Sequence, residues 1–280
     1  MTASEPVSLG HLNPGADGVA FDRFELGSGV GDLVRHVWVV RWSVPEGESR
    51  PQRTLSYPAF NAILQPAGGS EASGTLGGAA LAGPDPKLSV VSLRGRSWAV
   101  GVLFRPAAGP LLLGGTDPRS LAGREMPLPG APESAVEAAM TRLPSGDVAR
   151  RALVGALRGW LAPIAARVDD RGRLMNEVGR LAETDPEILR AAELADRAGL
   201  GVRSLERLVR EHVGVSPKWL IECRRLQAAS TALYAHPETD LSGLAAALGY
   251  ADYPHFSRRY ARFLGETPDE TRRNGSLQRA

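Results

Sequence analysis

The chain has 280 residues, 43% of them apolar and 23% charged, with a formal net charge of +2 at pH 7. That length accommodates two ordinary domains, and the composition is that of a soluble globular protein with no run near the roughly 18 apolar residues a membrane span needs. A single cysteine, Cys223, excludes an intramolecular disulfide framework or a thiolate metal cluster, and the near-neutral balance leaves any polyanion partner to be read from local charge.

Residues 1–20 are rich in Gly, Pro and Asp and read as a flexible lead-in, without the basic start and apolar core of a secretory signal; a cytoplasmic location is expected. Residues 21–130 have the texture of strands. LVRHVWVVRWSV (33–44) places Trp38, Val40, Trp42 and Val44 at period two, and SWAVGVLFRP (97–106) does the same with Trp98, Val100, Val102 and Phe104. Between them, residues 61–87 read as short strands broken by Gly and Pro. A small β-barrel or sandwich is expected, followed by an all-α part, an α+β chain overall.

Residues 131–170 read as connecting helices. GDVARRALVGALRGWLAPIAARV (146–168) carries Val148, Ala152, Ala156, Trp160 and Ile164 on one side, which is read as a packing face, the alternative being a homodimer contact. Asp169 and Asp170 then precede a second amphipathic run over 171–183.

Residues 171–275 contain an internal repeat. Leu194, Ala195 and Gly199 recur as Leu244, Ala245 and Gly249. Leu205, Arg207, Val213, Gly214, Ser216 and Pro217 recur as Phe256, Arg258, Leu264, Gly265, Thr267 and Pro268. Each copy reads helix, tight turn, helix: Gly199 and Gly249 suit the left-handed position that closes a first helix, and the arrangement is a helix-turn-helix, whose second helix enters the major groove. Asp252 is placed to cap the second helix of the second copy, with Pro254 in its first turn. Gly214 and Gly265 end the two reader helices, and Ser-Pro or Thr-Pro restarts a helix after each. The helix expected over 216–236 spans about 30 Å at 1.5 Å per residue, close to the roughly 34 Å between successive major-groove faces.

The blocks LADRAGL, LERLVREHVGVSP, RLQAASTAL and LAAALGYADYPHFSRRYARFLGETPDETR together resemble the DNA-binding domain of the AraC/XylS family of bacterial transcription regulators. On the first reader, Arg203, Ser204, Glu206, Arg207 and Arg210 are the expected DNA-facing residues, with Leu205, Leu208 and Val209 as the anchor. Arg203 and Arg207 are favoured for bidentate contact with guanine; Glu206 is read either as a cytosine acceptor or as a solvated partner of Arg203 or Arg210. On the second reader, Tyr253, His255, Ser257, Arg258, Arg259 and Arg262 surround a buried stripe of Phe256, Tyr260 and Phe263. Arg258 is the expected base reader, and Arg259 or Arg262 the expected phosphate contacts. Cys223 is read as a packing residue, and His212 and His236 as helix-end residues meeting carbonyl dipoles.

The resemblance also implies a cupin-like N-terminal domain that binds an effector, dimerises, or both. Trp42, Tyr57, Trp98, Phe104 and Arg105 are the candidates for an effector pocket, the competing reading being that these aromatics fill a barrel interior. Only His11 and His36 precede residue 200, too few for the His and carboxylate set of a metal-dependent cupin enzyme. One cysteine cannot serve self-alkylating DNA repair, and the glycines of 68–83 lack the setting of a nucleotide loop. No catalytic residue, metal or cofactor is therefore expected. The expected partner is double-stranded DNA, with a small-molecule effector, RNA polymerase and a second copy of the chain as further partners. An N-terminal domain that only dimerises, or a helical protein-interaction module, are the alternatives.

Overall fold

The computed structural model describes residues 18–55, 58–66, 77–85, 87–142 and 146–277. Its first part is an antiparallel β structure. Six strands, β1 (Val19–Phe24), β2 (Val34–Ser43), β4 (Asn61–Gln65), β5 (Gly78–Ala82), β7 (Arg96–Phe104) and β8 (Glu125–Pro127), form one sheet in the order β1-β2-β7-β4-β5-β8. A separate ribbon pairs β3 (Arg50–Leu55) with β6 (Leu88–Leu93).

Alternation along β2 and β7 sorts the side chains onto two faces. Val37 pairs with Val102, Val39 with Val100 and Arg41 with Trp98, and these positions face the helices; the Arg41 guanidinium reaches the Met140 sulfur at 3.2 Å. Trp38 pairs with Gly101, Val40 with Ala99 and Trp42 with Ser97 on the other face, where Trp42, Val40 and Ala99 pack with Val91 and Leu93 of the ribbon. The two period-two rows of the sequence therefore lie on opposite faces of one sheet. Gly101 is required by this register, since a Cβ there would sit 1.8 Å from the Trp38 indole.

A short helix α1 (Ala108–Leu112) and a 3₁₀ turn (Pro118–Leu121) follow β7, then α2 (Glu133–Thr141) and α3 (Asp147–Ala165). The buried side of α3 is Ala149, Leu153, Leu157, Leu161 and Ala165, one residue along from the expected stripe. Val148 is 46% exposed, and Trp160 and Ile164 only flank the core. Three leucines at four-residue spacing outweigh the smaller Val148, Ala152 and Ala156, because burial of each leucine stabilises by about 1.5–3 kcal/mol.

The remaining helices are α4 (Asp170–Thr184), α5 (Ala191–Arg197), α6 (Val202–Val213), α7 (Pro217–Ala235), α8 (Leu241–Ala247), α9 (Tyr253–Leu264) and α10 (Pro268–Leu277). They enclose two cores that share α7. Leu220 and Ile221 of α7 join α4, α5 and α6, whereas Cys223, Leu226 and Leu233 join α8 and α9. Among the described residues no helix is long and apolar enough to cross a membrane.

The strand part and the helical part touch extensively. The Asn176 side chain of α4 accepts from the Ala107 N–H at 2.9 Å and donates to the Asp32 carbonyl at 2.7 Å, and Arg35 of β2 forms a two-bonded ion pair with Glu183. Two glycines of α4 make room for the chain after β7: a Cβ at Gly179 would lie 2.9 Å from Pro106, and one at Gly172 would lie 3.2 Å from Ala107. Farther along, a Cβ at Gly109 would meet the His212 carbonyl at 1.9 Å, so α1 abuts the C-terminal end of α6.

Candidate nucleic-acid interface

The two repeats fold alike down to their turns. α5 and α8 have equal lengths at an offset of 50 residues, and α6 and α9 at an offset of 51. Gly199 (φ 66°) and Gly249 (φ 73°) take the left-handed conformation. The next residue closes the turn in both copies, Leu200 N–H onto Ala195 C=O at 2.9 Å and Tyr250 N–H onto Ala245 C=O at 3.0 Å. This is the Schellman closure of a helix C-terminus.

Each reader helix has 12 residues and ends at a left-handed glycine, Gly214 or Gly265. Asp252 caps α9 by accepting from the His255 N–H at 2.6 Å. Ser216 caps α7, and Thr267 with Glu270 forms a reciprocal capping box ahead of α10. The linker helix α7 has 19 residues, about 28 Å at 1.5 Å per residue.

On α6 the sorting of side chains follows the sequence expectation. Leu205, Leu208, Val209 and Val213 are buried, and Arg203, Ser204, Glu206, Arg207 and Arg210 are exposed. On α9, Phe256, Tyr260, Phe263 and Leu264 are buried, while His255, Arg258 and Arg262 are exposed. Three of the named α9 residues turn inward instead. Arg259 pairs with Glu222 of α7, the Tyr253 hydroxyl donates to Asp269 at 3.0 Å, and Ser257 is half-buried. Hydrogen bonding by Glu222 holds the Arg259 guanidinium above its ordinary pKa range. Glu222 was not singled out by the sequence because its partner lies 37 positions away.

Arg224 and Arg225 were also not singled out. Arg224 donates to the Asp185 and Ile188 carbonyls at the entry of the first repeat. Its neighbour Arg225 donates to the Leu248 carbonyl at the turn of the second and stacks 4.5 Å from the Tyr250 ring centre. Consecutive arginines thus fasten both repeats to one helix. His212 is buried with Nδ1 3.0 Å from the Leu208 carbonyl, and burial pushes its pKa down. Burial pushes the Cys223 thiol up, consistent with a packing role.

Of the four effector candidates among the described residues, Phe104 and Arg105 border a common cleft, whereas Trp42 and Trp98 do not line it. Trp42 lies on the ribbon-facing side and donates to the Arg94 carbonyl at 3.0 Å, whereas Trp98 and Phe104 lie in the helix-facing core. Arg105 follows β7 and donates to the Gly31 carbonyl at 2.6 Å. Tyr57 is outside the described residues. Among the described residues no group of three or more His, Cys, Asp or Glu side chains is placed to hold a metal ion.

Residues 194–274 match the family described as "Helix-turn-helix domain". The C-terminal helices are a helix-turn-helix domain of the AraC type. Residues 28–127, on the strand side, match a "Domain of unknown function (DUF6597)". Over 108 residues the chain is 32% identical to the HTH-type transcriptional activator RhaS of Escherichia fergusonii, covering 38% of each. RhaS of Yersinia pestis (strain Pestoides F) is 30% identical over 105 residues, covering 37% of this chain and 38% of that protein. The chain thus spans about 38% of the length of these curated relatives. Among solved structures, an AraC-type regulator from Chromobacterium violaceum is 29% identical over 37% of this chain and 93% of that one, with a TM-score of 0.34. ToxT of Vibrio cholerae O395 covers 91% of this chain and 97% of its own at 12% identity and a TM-score of 0.44. The stretch shared with RhaS is about the length of the helix-turn-helix domain and its entry helix.

Proposed function

We propose that this chain is a sequence-specific DNA-binding transcription regulator whose two reader helices, α6 and α9, occupy consecutive major-groove faces of one duplex. The observation that carries the reading is the pair of equal 12-residue helices, each with an exposed arginine face and a buried apolar face, held by one braced linker. Identity to a protein named as a transcriptional activator supports the same reading over a protein-interaction module.

In this reading Arg203 and Arg207 on α6, and Arg258 on α9, reach base edges, while Arg210 and Arg262 meet phosphates; Ser204, Glu206 and His255 line the same surfaces. Residues 21–130 form the sensor or dimerisation domain, 131–170 the connection and 171–275 the DNA-binding domain, working in the cytoplasm where the DNA is. The test is a gel shift on promoter fragments across a salt series. Arg207→Ala and Arg258→Ala each lower operator affinity by about 1–3 kcal/mol, roughly 5- to 150-fold, with unchanged melting behaviour. Parent-like binding by both variants removes the assignment of reader helices.

A further inference from the structure

We propose that the strand part itself touches DNA: the 3₁₀ turn Pro118–Leu121 and the residues just after it rest on the phosphate strand beside the first reader helix, with Arg119 and Arg124 as the contacts. This deepens the regulator reading above and rests on it.

Arg203, Arg207 and Arg210 follow one another along α6 at spacings of four and three residues, which places them on one line of the helix surface. Gly214, four residues on, ends that line, its N–H bonded to the Arg210 carbonyl at 3.0 Å. There the helix meets the strand part. A Cβ on Gly214 would lie 2.6 Å from both the Arg119 nitrogen and the Pro118 carbonyl carbon. The 3₁₀ turn therefore stands one helical turn beyond Arg210, at the end of the arginine row. A reader helix sets its N-terminal residues on base edges, so its C-terminal end emerges at the rim of the groove, where the phosphates are. The element that adjoins this end shares the rim.

The turn presents cations to that rim. The Arg119 side chain is 63% exposed. Asp117 accepts from its Nε and Nη2, which leaves both Nη1 N–H groups for another acceptor. Arg124 is exposed, and among the described residues no carboxylate pairs with it. The acids nearby are Asp117, the half-buried Glu125 and Asp85, whose carboxylate oxygen would lie 3.6 Å from a Cβ on Gly123. Against them stand Arg119, Arg124, Arg210 and the exposed Lys87, while Glu211 is neutralised by Arg171, so cations are in excess. The backbone that carries the two arginines is pinned. Asp117 accepts the Arg119 N–H at 2.9 Å, the Arg124 N–H donates to the Leu121 carbonyl at 3.0 Å, and the Gly83 N–H donates to the Arg124 carbonyl at 2.9 Å. A contact made from such a platform costs less ordering than one from a free loop.

The experiment is gel shift and hydroxyl-radical footprinting of the full chain on promoter fragments across a salt series. The parent protects sugars beyond the half-site of α6 on one strand. The double variant Arg119→Gln, Arg124→Gln loses that extension, weakens all sequences about equally, and lowers the slope of log affinity against log salt by about two, one for each phosphate. Arg124→Gln alone removes about one, and its melting temperature, equal to that of the parent, is the fold control. Asp117→Asn keeps an oxygen to cap the turn and removes the opposing charge, so it tightens binding, a gain that misfolding cannot imitate. A parent-like slope and footprint in the double variant overturn the contact, as does tighter binding by it, which would make the turn an obstacle to DNA. Binding by Asp117→Asn no tighter than the parent's also overturns it. A parent that shifts no promoter fragment removes the regulator reading and this contact together, whereas a parent that binds beside a double variant of parent-like slope removes this contact alone.

Discussion

The Glu222 carboxylate on α7 accepts from both Nε and Nη2 of Arg259 on α9, so one cation of the second reader faces the linker helix. The Glu222 side chain is 11% exposed and that of Arg259 34%, and removing the arginine strands a carboxylate in a poorly solvated place. Arg259→Ala is expected to lower unfolding free energy by on the order of 2 kcal/mol, allowing for the solvent that reaches Arg259. Urea denaturation measures it. The salt dependence of DNA binding should stay as in the parent; a shallower slope at full stability would put Arg259 on a phosphate.

Arg262 makes the complementary case. It is exposed in the last turn of α9, and a phosphate contact there carries little base information. Arg262→Ala should weaken all DNA sequences about equally and reduce the slope of log affinity against log salt by about one. Selective loss on one sequence would make it a base reader.

The junction between α1 and α6 can be tested with a single methyl group. Gly109→Ala places a Cβ 1.9 Å from the His212 carbonyl and 2.9 Å from the Phe60 ring, and forced overpacking of this kind costs about 1–3 kcal/mol. Gly155→Ala on α3 is the control, since nothing lies within 4 Å of its Cβ position. There the better helix propensity of alanine should stabilise by about 0.5–1 kcal/mol. Thermal melts of the two variants should therefore move in opposite directions.

His36 gives a pH dependence. It is 1% exposed, and burial first, then Arg23 and Arg35, lowers its pKa from 6.5 to about 3. Between those values the unfolded chain binds a proton that the folded chain refuses, so stability falls as pH drops below 6.5, by up to about 1.4 kcal/mol per pH unit from this group. The buried His212 adds in the same direction. His36→Leu should flatten the decline in urea midpoint between about pH 6 and pH 4.5; an unaltered slope would show that His36 does not stay neutral.

The repeat was legible because its signals are local. A glycine closing a helix, a hydroxyl or carboxylate capping the next, and an apolar stripe at helical spacing all act within a few residues, and Gly199, Asp252 and the Leu205, Leu208, Val209 set fell where expected. What escaped is decided across long separations. Nothing near Arg259 marks Glu222 as its partner, and nothing near Arg224 or Arg225 distinguishes a brace from a solvated charge. The period-two rows around Trp42 and Trp98 correctly indicated strands, but which face each row takes depends on the pairing register between β2 and β7. For α3, two apolar stripes adjoin, and the leucine row takes the core because it buries more apolar surface than Val148, Ala152 and Ala156.

The opposed anchoring of Arg224 and Arg225 limits what sequence arrangement could serve as an operator. A flexible tether would let the two readers find half-sites at several distances, but two repeats fastened to adjacent arginines in the middle of one helix cannot be re-phased. Inserting about 5 bp between the half-sites would turn one of them to the far side of the duplex, and binding should then collapse to that of a single reader instead of weakening by degrees.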